Sequence, residues 1–138
     1  MSQEQKNISL VKQLSEVVNN RVYDKMDKLF DPSFVDKNPA WSVTNIDELK
    51  ETIAAAHKSL NMHITQDDVF AADDRVVALI TFDGQHIDTF LGIAPTNKTV
   101  SWTSTEVFRI NEKGKITERW VQADTAGLMR QLGVKLPS

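Results

Sequence analysis

At Met62 the hydrophobic period of this chain changes, and that change constrains the fold more than any other feature of the sequence. Before it, apolar residues recur at helical spacing. After it, they alternate as in strands. Ile8, Val11, Leu14 and Val18, widened by Leu10 and Val17, form one stripe of a helix predicted over Ser2–Asn20, and Ser2 with Gln5 fits a capping box. Tyr23–Phe30 reads as a shorter helix that Asp31-Pro32 should break. Phe34–Pro39 reads as an irregular segment or short strand. Asn45 then caps a third helix, with Glu48 three residues on, and Ile46, Leu49, Ile53, Ala56 and Leu60 form its stripe.

Beyond the change, Met62–Phe70 and Arg75–His86 are expected strands, joined by a tight turn at Ala71-Ala72-Asp73-Asp74. After a turn at Pro95–Lys98, Thr99–Ile110 is a long strand. Asn111–Gly114 closes a hairpin to Lys115–Ala123. A last helix spans Thr125–Leu132, stopped by Gly133 and then Pro137. Helices followed by an antiparallel meander predict an α+β fold, with helices packed on one face of a curved sheet. At 138 residues, 41% hydrophobic and 25% charged, the chain fits a single domain over residues 1–138.

Composition removes several function classes. The net charge is -3 and there is no basic run, which argues against a nucleic-acid partner. Without cysteine there is no disulfide, thiolate metal site or cysteine nucleophile. Three histidines, His57, His63 and His86, show no helical metal-ligand spacing, so no metal site is expected. His57 falls outside the stripe of its helix and is expected on the surface. The polar start lacks an apolar signal region, and no stretch is long and apolar enough for a membrane span. A cytoplasmic protein with no membrane partner is expected, and the N-x-S/T matches at Asn7 and Asn97 are read as chance.

Strand alternation sorts the side chains into faces. Val76, Ala78, Ile80, Phe82 and His86 share one. Trp102, Ser104, Glu106, Phe108 and Ile110 share the next, and Ile116, Glu118, Trp120, Gln122 and Asp124 the last. Their large apolar members mark these as the inward faces. A few polar groups among aromatics and aliphatics are the makeup of a pocket for a hydrophobic small molecule. A carboxylate there has its pKa raised by desolvation and becomes a usable general acid or base.

Asp124 is the candidate, although its position before the last helix equally suits an N-cap. His86 reads as a general acid, an enolate donor or an ordinary strand-end histidine. Phe82, Trp102 and Trp120 read as pocket walls, and Gln122 as a polar support. Glu106, inward on a long strand, needs a partner such as Arg or His. His63 is a candidate for the cavity mouth, or a surface residue. Tyr23 and Asn38 are candidate donors to the cavity.

Several segments together resemble one family. They are Asp73-Asp74-Arg75-Val76-Val77, Gly84-Gln85-His86, Phe90-Leu91-Gly92-Ile93-Ala94-Pro95-Thr96, Gly114-Lys115-Ile116-Thr117-Glu118-Arg119-Trp120, and Asp124-Thr125-Ala126-Gly127-Leu128-Met129 running into Gln131-Leu132-Gly133-Val134. Their order and spacing resemble the SnoaL-like polyketide cyclases, within the nuclear transport factor 2-like superfamily. The resemblance implies a cone-shaped α+β barrel with an internal cavity, paired as a homodimer through its outer sheet. It implies intramolecular aldol ring closure without metal or cofactor, with Asp124 moving the α-proton and His86 at the cavity. Lys37, Asp88 and Asn97 stand where the family commonly has His, Gly and Gly.

Three functions follow as expectations. The first is a cofactor-independent cyclase, isomerase or lyase acting beside a carbonyl. The second is a hydrolase whose carboxylate activates water. The third is a non-catalytic binder of a hydrophobic metabolite.

Overall fold

The computed structural model describes residues 1–38 and 43–137. Pro39, the end of the segment expected to be irregular or a short strand, lies outside them. Helix α1 spans Gln3–Asn19 and carries the expected capping box between Ser2 and Gln5. A 3-10 turn at Tyr23–Lys28 stands where a longer helix was expected. Strand β1, Phe30–Asp36, follows directly and runs through Asp31-Pro32. Helix α2 spans Ile46–Leu60, and the Asn45 side chain accepts the Glu48 N–H as its cap. Strands β2 (His63–Ala72), β3 (Arg75–Gln85), β4 (Thr99–Ile110) and β5 (Ile116–Ala123) precede helix α3 (Thr125–Gln131).

The sheet order is β1-β5-β4-β3-β2. The four later strands form the expected antiparallel meander. β1 corrects the all-antiparallel expectation: it adds to β5 in parallel, so the sheet is mixed. Pro32 is tolerated because β1 is an edge strand, where a missing N–H breaks no central ladder. The pairing slips between Phe30 and Val35 around it. The result is a curved, unclosed sheet with the helices across its concave side, an α+β architecture.

Two bulges shape the curve. Asp67 is an extra residue on β2, because Gln66 pairs Ile80 while Asp68 pairs Leu79. Thr117 is an extra residue on β5, because Ile110 pairs Ile116 while Arg109 pairs Glu118. A bulge bends its strand and shifts the faces beyond it by one residue.

The core lies between the inward sheet face and the helices. Val11, Val18, Met26, Leu60, Val76, Phe108 and Ile116 are almost wholly buried there. The end of α2 sits hard against β3, where a Cβ on Gly84 would lie 2.1 Å from the Leu60 carbonyl oxygen. Only glycine admits that approach.

His57 is a further correction. Expected on the surface, it is 2% exposed. The 3-10 turn packs on that side of α2, and the Tyr23 hydroxyl lies 2.6 Å from His57 Nδ1. Among the described residues no helix is long and apolar enough to cross a membrane.

Candidate functional site

Between the concave sheet, α1, α2 and the segment around Phe90 lies a cavity of about 600 Å³. Its wall is mostly apolar. Leu14 and Val18 come from α1, Leu49 and Ile53 from α2, and Ile80, Phe82, Trp102 and Phe108 from the sheet. Phe82 and Trp102, paired across β3 and β4, stack with ring centroids 5.0 Å apart. This is the concave, apolar setting in which small molecules bind, with few polar groups to orient them.

Those polar groups sit close together. Ser104 and Glu106 follow each other on the inward face of β4, and Arg119 enters from β5 opposite Phe108. Arg119 Nε donates to Glu106 Oε1 at 2.7 Å. Its Nη1 donates to Asp36 Oδ2, also at 2.7 Å. Asp36 is brought there by the parallel pairing of β1 with β5, which sets it beside Arg119. The Asp36 Oδ1 atom accepts the Asn38 N–H at 2.9 Å. Two carboxylates thus share one guanidinium in a nearly dry setting, with side-chain exposures of 0% for Asp36, 6% for Glu106 and 13% for Arg119.

Burial sets the acidity of this group. Desolvation pushes the Asp36 carboxyl above its ordinary value, and the Arg119 guanidinium pulls the other way without cancelling it. Burial also disfavours the charge on Arg119, but Glu106 and Asp36 outweigh it and hold the guanidinium protonated. Glu106 meets Arg119 through Oε1. Among the described residues the Ser104 hydroxyl, buried in the cavity wall, has no hydrogen-bond partner. A buried hydroxyl without a partner is costly, and a ligand's polar atom would relieve it.

Four of the residues expected at the pocket line the cavity: Phe82, Trp102, Glu106 and Asn38. The inward face expected for β5 is corrected. The bulge at Thr117 leaves Ile116 inward but turns the residues after it over, so Arg119, Val121 and Ala123 face the cavity. Trp120 lies on the outer face instead, with Lys37 Nζ 5.1 Å and the Arg75 guanidinium 5.8 Å from its ring centre. Gln122 pairs outer-face Thr105 and is exposed.

Asp124 is exposed and caps α3, its Oδ1 accepting the Gly127 N–H at 2.9 Å. Of the two roles open to it in the sequence, the cap is the one this geometry displays.

His63 pairs Asp83 on the outer face and is exposed, while its neighbour Ile64 turns inward beside Phe82. Tyr23 is bound to His57 rather than set in the cavity wall. His86 is wholly buried but does not line the cavity. Its Nδ1 accepts the Thr96 N–H at 3.2 Å, with the Thr96 hydroxyl at 3.0 Å, so it ties the following loop to the end of β3.

Arg119 and Asp36 are the residues that sequence reasoning missed. An inward glutamate on β4 demanded a cation, and Arg119 alternates with Val121 on the strand beside it. Among the described residues no group of three or more histidine, aspartate or glutamate side chains is arranged to hold a metal ion.

Solved structures of the same shape are numerous. TsrD from Streptomyces laurentii is 25% identical, with a TM-score of 0.83 over 96% of this chain and 98% of its own. AclR from Streptomyces galilaeus, a candidate hydroxylase, is 24% identical with a TM-score of 0.86 over 97% of this chain and 99% of its own. A candidate SnoaL-like polyketide cyclase from Jannaschia sp. CCS1 is 18% identical with a TM-score of 0.86, over 99% and 98%. These likenesses establish the nuclear transport factor 2-like fold. No curated protein matches the sequence. The sequence pattern of the SnoaL-like polyketide cyclases matches residues 8–132, nearly the whole chain. With the period change, the mixed sheet and the apolar cavity behind it, this match decides the matter: the chain belongs to the SnoaL-like polyketide cyclase family.

Proposed function

We propose that this chain is a cofactor-independent cyclase or isomerase that acts on a mostly apolar, carbonyl-bearing small molecule inside the cavity. Glu106 is the acid–base group, in place of the aspartate that the family resemblance suggests. Ser104 donates to the carbonyl oxygen, where charge develops as the neighbouring carbon loses its proton. Arg119 orients Glu106 and balances its charge. The observation that carries the reading is the pairing, inside one apolar wall, of an unpartnered buried hydroxyl with a carboxylate on the same strand face. Same-face neighbours on a strand lie roughly 7 Å apart, a span that a carbonyl and its α-carbon can bridge.

The test is exchange of the α-proton of an aryl β-keto ester in deuterium oxide, followed by NMR. A positioned acid–base group contributes about 10²–10⁴-fold, so Glu106→Gln should lower the exchange rate by at least about 100-fold. Unchanged exchange in that variant would overturn the assignment. Loss of exchange on Asp124→Asn alone would move the role to Asp124. Tight binding with no exchange in the native protein would leave a binder of hydrophobic metabolites.

The homodimer implied by the resemblance has support in the outer sheet face, where Phe70 and Leu79 are exposed. Sedimentation equilibrium tests it, and a single species at the 15.6 kDa chain mass would exclude it.

A further inference from the structure

The charges around the cavity balance at the rim but not in the interior. Among the described lining residues, the acids are Glu106 and Asp88 and the cations are Arg119 and Lys58. Lys58 stands at the rim with its side chain 80% exposed, 3.9 Å from Asp88. Deeper in, Arg119 has two of its donor nitrogens committed, one to Glu106 and one to Asp36 behind the wall. The interior therefore holds two carboxylates against one guanidinium, and that guanidinium is already engaged on both sides.

An anion entering this space would meet a carboxylate-rich wall whose one guanidinium already bridges two carboxylates. A buried charge without a partner is strongly disfavoured. A cation placed against Glu106 would complete a set of two and two. A neutral donor would bond the Glu106 carboxylate without adding charge. Ser104, buried and unpartnered in the same wall, marks where the polar end of such a ligand would reach.

We infer that this cavity selects its ligands by charge, admitting a neutral or cationic polar end beside Glu106 and rejecting an anionic one. The inference rests on the reading of the cavity as a ligand site and narrows the substrate class. A molecule whose polar end is a free carboxylate, sulfonate or phosphate is excluded. An alcohol, amide or ammonium of the same size is admitted.

Three naphthalenes that differ only in their polar end test this at pH 7.5: 1-naphthylmethylammonium, 1-naphthalenemethanol and 1-naphthoate. Each is titrated to displace the neutral fluorescent probe N-phenyl-1-naphthylamine from the full chain. The ammonium and the alcohol should each displace the probe at concentrations at least about tenfold below naphthoate. Glu106→Gln removes one negative charge and should bring the three within about threefold of one another. Asp36→Asn removes the same charge from behind the wall and should level them too. It carries the test where circular dichroism shows that Glu106→Gln does not fold.

Equal displacement by naphthoate in the native protein, or a naphthoate deficit that survives both variants, would overturn the inference. Probe binding without any charge order overturns charge selection alone. Failure of the probe to bind overturns the ligand-site reading with it.

Discussion

Arg119 Nη1 and Asp36 Oδ2 stand 2.7 Å apart, joining two strands whose sequences lie 83 residues from one another. The same guanidinium holds Glu106, so its removal strands two buried carboxylates at once. Breaking a buried pair on one side costs about 3–5 kcal/mol. Arg119→Met should therefore lower the unfolding free energy by at least about 3 kcal/mol in urea titration. A loss below about 1 kcal/mol would show that the carboxylates find water or protons easily.

Ser104 makes the opposite prediction. Among the described residues its hydroxyl is buried without a partner, so Ser104→Ala removes a desolvated polar atom rather than a bond. In the ligand-free protein the change should be neutral or should stabilise by up to about 1 kcal/mol, while weakening a carbonyl ligand. Paired urea titrations with and without ligand separate the two effects. A clear loss of stability in the ligand-free variant would mean that the hydroxyl has a partner after all.

His57 sets a pH dependence. Burial, assisted by the nearby positive charge of Arg21, lowers its pKa from 6.5 to about 4. In the folded protein the ring stays neutral where the unfolded chain has already bound a proton. Stability attributable to His57 should thus be constant above pH 6.5, fall as pH drops from 6.5 toward 4, and level off below that. Urea midpoints for the native chain and for His57→Gln, compared over pH 4–7, isolate this slope from that of the carboxylates. Parallel curves would refute it.

Asp124 caps α3 through the Gly127 N–H. Asp124→Ala should cost about 1 kcal/mol, and Asp124→Ser should restore most of it, because serine caps equally well. Thermal unfolding of the two variants decides. Equal losses would show that Asp124 contributes something other than a cap.

Much of the fold was legible in the sequence because it is written locally. The stripes of α1 and α2, their caps at Ser2 and Asn45, and the alternation along β3 and β4 each occupy one contiguous segment. Phe82, Trp102 and Glu106 were placed inward on that basis, and they line the cavity. What escaped is long-range. The parallel pairing of Phe30 with Ile116 has no local sign, so β1 reads as a helix end followed by an irregular stretch or a short strand. The bulge at Thr117 is equally silent, since the residue resembles its neighbours in β-propensity. Because alternation was carried straight through it, Trp120, Gln122 and Asp124 were turned inward and Arg119 outward. His57 was misjudged because its helix buries a second side against Tyr23, and one stripe reports only one side.

That extra residue at Thr117 has a consequence for how the cavity can change. The side chains of β5 form two alternating sets, and the bulge decides which set the interior receives. A one-residue slip of the pairing that absorbed Thr117 into the ladder would exchange the sets: Trp120 would turn into the hollow and Arg119 out of it, leaving Glu106 and Asp36 without their shared cation. A single backbone irregularity therefore decides whether the interior holds a completed ion cluster. Redesign of the binding space can begin with the register of this strand before any lining side chain is altered.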